Sequence, residues 1–146
     1  MIYLAGSCSS EQRTLMIKIA KFLRNQNQEV YCPFELKIPN AWDYPQEEWA
    51  KMVYDLDKDA IDNCDLFLMI TPGRISTAGT NWEQGYAYGT GKRVVVLQYT
   101  EDKTSLMTYC GCTTFINTNE EKILADIYNV INNKVEDKGI CKTILT

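Results

Sequence analysis

The 146-residue sequence contains no histidine. That absence excludes Ser-His and Cys-His nucleophile pairs, imidazole metal ligands and the commonest general base. Any proton transfer by this chain therefore falls to carboxylates or tyrosines. The sequence also has no block of lysine or arginine, and its net charge is -4, so the footprint of a protein that grips a nucleic-acid polymer is missing. No apolar stretch approaches a membrane span, and Met1 to Gly6 is too short and too uncharged at its start for a secretory signal. Together these absences predict a cytosolic protein with small-molecule partners, no nucleic acid and no membrane.

Six cysteines are present, but only Cys110 and Cys112 lie close together. In a cytosolic chain they read as reduced, small apolar fillers. A tetrahedral zinc site needs further Cys or His ligands at fitting spacing, so no metal is expected, and nothing in the chain calls for an organic cofactor.

What the sequence does have is a 45% apolar composition, enough for one well-cored domain. Ile2 to Ala5 reads as a buried strand ending at Gly6-Ser7, with Ser9 or Ser10 to cap a helix running to about Asn27. Val30-Tyr31-Cys32 is a second strand, stopped by Pro33, and the irregular stretch from Phe34 to Asp43 is a loop at its end. Pro45 suits the first turn of a long helix to about Asn63, capped by Asp43 or Tyr44. Asp65 to Thr71 is a near-continuous apolar run, as in a central strand covered on both faces. Val94 to Gln98 and Thr113 to Ile116 are further strands, and Glu120 to Asn132 is a closing helix. The alternation predicts a single doubly wound, flavodoxin- or Rossmann-like α/β domain over residues 1–134 with roughly five parallel strands, followed by a tail, 135–146. Sites in such sheets lie beyond the strand C-termini, where Gly6-Ser7 and the loop after Thr71 would converge.

Two carboxylates stand out. Glu83 lies in Gly79-Thr80-Asn81-Trp82-Glu83-Gln84-Gly85-Tyr86-Ala87, a turn opening a helix. Thr80 and Glu83 have the spacing of a capping box, a purely structural role. The other reading places Glu83 in the first turn facing a cleft, ionised and able to act as a nucleophile. In the long helix, Asp55, Asp59 and Asp62 share a solvated face, whereas Asp57 follows Val53 by four residues and precedes Ile61 by four, on the apolar side. A carboxylate there needs either a structural partner or a role in a site.

Ile2-Tyr3-Leu4-Ala5-Gly6-Ser7, Asp57 ahead of Cys64-Asp65, and the Gly79 to Ala87 stretch, in this order, resemble the nucleoside 2-deoxyribosyltransferase superfamily from Met1 to about Ile131. The resemblance implies that Glu83 attacks the anomeric carbon of a 2'-deoxynucleoside and expels the base, that Tyr3 orients Glu83, and that Asp57 contacts the base and supplies a proton. It also implies a homodimer or larger assembly. One departure is informative: the aspartate that transferases carry six residues before the nucleophile is Thr77 here. A hydroxyl at that position resembles the related 2'-deoxynucleoside 5'-monophosphate N-glycosidases. In that branch Gly6, Ser7, Thr77, Gly79 and Ser105 match phosphate-contacting positions, with Ser105 supplied by a neighbouring subunit. The arginine of that branch is replaced by Ser9, leaving Arg13 or Arg74 to substitute.

The expected activity is transfer of a deoxyribosyl group between bases. The alternatives are hydrolysis of a nucleoside 5'-monophosphate and a nucleotide-sensing domain without turnover. Of the aromatic residues available to stack on a base, Phe34 and Trp42 are the pocket candidates.

Overall fold

β1 (Ile2–Ala5) lies between β2 (Val30–Tyr31) and β3 (Leu66–Thr71), and β4 (Arg93–Gln98) and β5 (Thr114–Asn117) extend the sheet beyond β3. All pairings are parallel, in the order β2-β1-β3-β4-β5. In this computed structural model, which describes residues 1–74, 76–135 and 138–146, the helices are α1 (Ser10–Asn25), α2 (Gln46–Asn63), α3 (Ala78–Gly89), the short α4 (Leu106–Cys110) and α5 (Ile123–Ile131). This is the flavodoxin-like doubly wound arrangement, whose strand order reverses between β1 and β3.

Strand alternation divides the core in two. Ile2, Leu4, Leu68, Ile70, Val95 and Leu97 face α1 and α5, where Leu15, Ile19, Leu23, Ile123 and Ile127 meet them. Tyr3, Ala5, Phe67, Met69, Val94 and Val96 face α2 and α3, and pack on Ile61 and Ala87. Every residue of β1 and β3 is buried, which explains their uninterrupted apolar sequences.

The loop leaving β3 is firmly held. Thr71 Oγ1 donates to the Gly73 carbonyl and accepts from its amide, both at 3.1 Å, and the Arg74 amide donates to the Lys103 carbonyl at 2.6 Å. Gly73 has φ +116°, and an added Cβ would stand 2.8 Å from the Lys103 oxygen, so only glycine fits. This anchoring fixes where α3 starts. Its N-cap is Thr77, whose hydroxyl accepts from the Thr80 amide, so the capping box expected between Thr80 and Glu83 does not form. The helix begins one turn earlier than the Thr80 pattern suggests, and Glu83 lies in its second turn instead of its first. Similarly, α2 is entered through Pro45 with no side-chain cap among the described residues, while Asp43 belongs to a 3-10 turn, Ala41–Asp43.

The final residues lie against the body of the chain. The Thr104 amide donates to the Ile144 carbonyl, the Thr146 amide donates to the Thr104 carbonyl, and the Gly139 amide donates to the Phe115 carbonyl at 3.1 Å. Among the described residues no helix is long and apolar enough to cross a membrane.

Candidate active site

A cavity of about 500 Å³ opens at the C-terminal end of the sheet beside the β1/β3 reversal. Its polar side is made by Glu83, Asp57, Thr77 and Thr80, with the glycines Gly6 and Gly79 beside them. Its apolar side is Pro33, Leu36 and Ile38 from the loop after β2, and Trp49 and Val53 from α2. A smaller opening of about 280 Å³, between Tyr54 and Trp82, shares Asp57, Gly79 and Glu83. A third cavity is bordered by Ser7, Ser76, Thr77 and the carboxylates Glu11, Glu101 and Asp102. Thr77 belongs to both the first cavity and the third.

Each element delivers its group for a local reason. Trp49, Val53 and Asp57 recur at intervals of four along α2 and so form one stripe toward the cavity. Gly79 sits in the first turn of α3, and a Cβ added there would meet nothing within 4 Å, so the helix presents bare backbone. Tyr3 lies beneath the cavity floor in β1, fully buried, its ring stacked on Tyr31 (centroids 5.4 Å apart) and on Phe67 (5.2 Å). This row follows from register, since Tyr3 pairs with Tyr31 on one side and Phe67 on the other.

The electrostatics of the three groups are coupled. Burial pushes the Glu83 carboxyl up to about 7; the Asp57 charge adds to the rise and the Tyr3 hydroxyl opposes it. Asp57 is also raised by burial, offset by a hydrogen bond from Tyr31 Oη to Oδ1 at 2.7 Å. Burial raises the Tyr3 phenol, and the charges of Glu83 and Asp57 raise it further, so it stays protonated. Tyr3 Oη interacts with Glu83 but closes no hydrogen bond of good geometry, and it is a buried hydroxyl without a partner among the described residues. An unpaired buried donor costs about 1–3 kcal/mol, which a small shift of the Glu83 carboxylate would relieve.

The sequence candidates separate into two groups. Glu83, Asp57, Gly6, Gly79 and Thr77 border one cavity, and Tyr3 interacts with Glu83 from below. Ser7 borders the adjoining cavity. Ser105 does not join them within the chain: it caps α4 and faces a separate cavity with Asn81, Gln84 and Gly85. Trp42 is 83% exposed and Phe34 packs on the α1 side of the core under Arg13, so neither borders the Glu83 cavity. Trp49 occupies the aromatic place instead, and continuing the stripe from Asp57 through Val53 by one further step of four finds it. Tyr31 is the other missed residue; its signal is the pair of apolar-Tyr strand openings, Ile2-Tyr3 and Val30-Tyr31.

Among the described residues no group of three or more Cys, Asp or Glu could hold a metal. The arrangement offers one half-buried carboxylate near neutrality, a second held by a phenol, and an apolar wall. Such a pair can stabilise a developing oxocarbenium ion on one side and protonate a leaving group on the other.

Solved structures of other proteins share this fold. The 2-deoxyribosyltransferase of the psychrotolerant bacterium Bacillus psychrosaccharolyticus superposes with a TM-score of 0.81 at 25% identity, covering 96% of this chain and 98% of that one. A conserved protein from Enterococcus faecalis V583 (TM-score 0.71, 21% identity, 88% and 97% coverage) and the Clostridium botulinum CMP N-glycosidase BcmB (0.63, 20%, 87% and 97%) share the fold. Curated protein sequences give no match. The family model described as nucleoside 2-deoxyribosyltransferase matches residues 2–143, and the chain belongs to that family.

Proposed function

We propose that this protein cleaves the N-glycosidic bond of 2'-deoxynucleosides through a covalent glycosyl-Glu83 intermediate and transfers the deoxyribosyl group to another base. Members of the family act on the N-glycosidic bond of small nucleosides or nucleotides. The observation that carries the proposal is the meeting of Glu83 and Asp57 at one cavity where the strand order reverses, with buried Tyr3 interacting with Glu83.

In the first displacement a Glu83 oxygen bonds to C1', and the C1'–N bond breaks with its electron pair passing to the base. Asp57 gives its proton to the departing base and becomes a carboxylate. In the second, an acceptor base loses a proton to Asp57 and attacks C1', and the glycosyl ester breaks to regenerate the Glu83 carboxylate. Two displacements retain configuration. Tyr3 favours the ionised form of Glu83 against the effect of burial. Pro33, Leu36, Ile38 and Trp49 supply an apolar wall on which a base can lie.

The charge pattern favours a nucleoside over its 5'-monophosphate. Neither the Glu83 cavity nor the cavity beyond Thr77 is lined by lysine or arginine among the described residues, and the latter carries Glu11, Glu101 and Asp102. Arg13, the nearest cation to the Gly6 loop in sequence, stands over Phe34 with its guanidinium 6.0 Å from the ring centroid. Hydrolysis of a 5'-monophosphate is the second reading, and Thr77 favours it: a neutral hydroxyl at the junction of the two cavities does not repel phosphate as a carboxylate would.

A homo-oligomer is part of the same proposal. Trp82, Tyr54 and Tyr88 are each more than two-fifths exposed on α2 and α3, and Ser105 faces away from its own Glu83 cavity. Sedimentation at micromolar concentration tests this.

Incubating the protein with deoxynucleosides and with deoxynucleoside 5'-monophosphates, each with and without a free acceptor base, tests the activity. Base exchange on nucleosides is expected. Base release confined to monophosphates overturns transfer, and ligand binding without any turnover overturns the enzyme reading altogether.

A further inference from the structure

A hydrogen bond from Tyr31 distinguishes the two carboxyl oxygens of Asp57. Tyr31 Oη donates to Oδ1 at 2.7 Å, whereas Oδ2 has no hydrogen-bond partner among the described residues, and Asp57 lines both openings beside Glu83. Tyr31 is itself held, because its ring stacks on Tyr3 at 5.4 Å with an interplanar angle of 24° and Tyr3 in turn stacks on Phe67. The donor is thus built into the strand row of the sheet, while the acceptor is a side chain on a helix.

We propose that Tyr31 is a positioning residue for proton transfer: by occupying Oδ1 it leaves Oδ2 to carry the proton that Asp57 gives to the departing base. This rests on the reading of Asp57 as the acid in the proposed reaction. When the C1'–N bond breaks, its electron pair goes to the base and the Oδ2 proton follows, leaving a carboxylate that Tyr31 still hydrogen-bonds. In the return step the acceptor base delivers its proton to Oδ2. The phenol keeps its own proton throughout, since burial and the neighbouring Asp57 and Glu83 charges raise its pKa. Tyr31 therefore offsets the cost that burial imposes on the charged form of Asp57.

The titratable groups acting on this pair are Tyr3 from β1, Glu83 from α3 and Cys8 from the loop after β1. Among the described residues no lysine or arginine lines the cavity. Removing the phenol hydrogen bond raises the pKa of Asp57.

The test compares Tyr31→Phe with the unmodified protein on two substrates: the nucleoside or nucleotide it turns over, and an aryl 2-deoxyriboside whose nitrophenolate leaves without protonation. The expected result is a loss of about 10- to 100-fold in kcat on the first, with KM little changed, and no loss on the second. In an Asp57→Asn background the Tyr31→Phe loss disappears. Equal slowing of both substrates, an unchanged kcat on the first, or a loss that persists without Asp57 overturns the role of Tyr31. If Asp57→Asn alone leaves base release unchanged, the assignment of Asp57 as the acid has failed instead, and that outcome is read separately from the Tyr31 comparison.

Discussion

Tyr3 and Tyr31 stand side by side on neighbouring parallel strands, ring centroids 5.4 Å apart, with one hydroxyl bonded to Asp57 and the other, beside Glu83, without a hydrogen-bond partner among the described residues. Two rings in register on one sheet face thus address two acids on two different helices. The strands fix the spacing of the phenols, and α2 and α3 bring the carboxylates to them.

Tyr3→Phe tests the first of these contacts. The Tyr3 hydroxyl lowers the pKa of Glu83, so its removal raises that pKa and moves the limb of kcat/KM that follows Glu83 to higher pH. Because the hydroxyl has no hydrogen-bond partner to leave unpaired among the described residues, the thermal midpoint at about pH 4, where Glu83 is protonated, should not fall. A lowered midpoint with an unmoved limb contradicts the assignment.

The raised pKa of Glu83 also sets a stability profile. Its carboxyl titrates near 4.5 when unfolded and near 7 in the fold, so between those values the folded state holds a proton that the unfolded state has released. Stability therefore falls as pH rises through that window and stays low above it. Glu83→Gln removes the penalty, and chemical denaturation at about pH 8 should find the variant more stable by about 2 kcal/mol, with no gain at about pH 4. The same variant should lose base release by roughly 10³-fold or more while remaining folded.

Gly79 leaves open space at the start of α3. Gly79→Leu should fill it, raising KM by about tenfold or more with an unchanged melting temperature, since the site is exposed and a helix tolerates leucine. An unchanged KM would remove Gly79 from the substrate's path.

Thr77→Asp asks which substrate the cavity junction accepts. Aspartate is as good an N-cap as threonine, so α3 should keep its start. Nucleoside turnover should persist, and any activity on 5'-monophosphates should fall by about tenfold through charge repulsion. Monophosphate turnover that exceeds nucleoside turnover in both proteins contradicts the nucleoside reading.

Much of this was legible in the chain because the signals were periodic. The apolar runs of β1 and β3 marked strands covered on both faces, and the break in the charged pattern of α2 singled out Asp57. The cap of α3 was ambiguous locally, since Thr77 and Thr80 both offer a hydroxyl three residues ahead of an amide. The choice was made by the anchored loop through Gly73, a tertiary constraint with no short-range signature. Phe34 and Trp42 lie in 3-10 turns where no period reveals which way a ring points, and Trp42 faces solvent. Tyr31 occupies a two-residue strand, too short for a pattern, and its partner became visible only with the register to Tyr3.

The central claim is a bond between Glu83 and a sugar carbon. Acid quenching during turnover of a 2'-deoxynucleoside without acceptor base, followed by proteolysis and mass spectrometry, reads it directly. The account predicts one deoxyribosyl adduct on the peptide containing Glu83, absent from Glu83→Gln. Base release with no adduct at any time, or an adduct on a different residue, would contradict it.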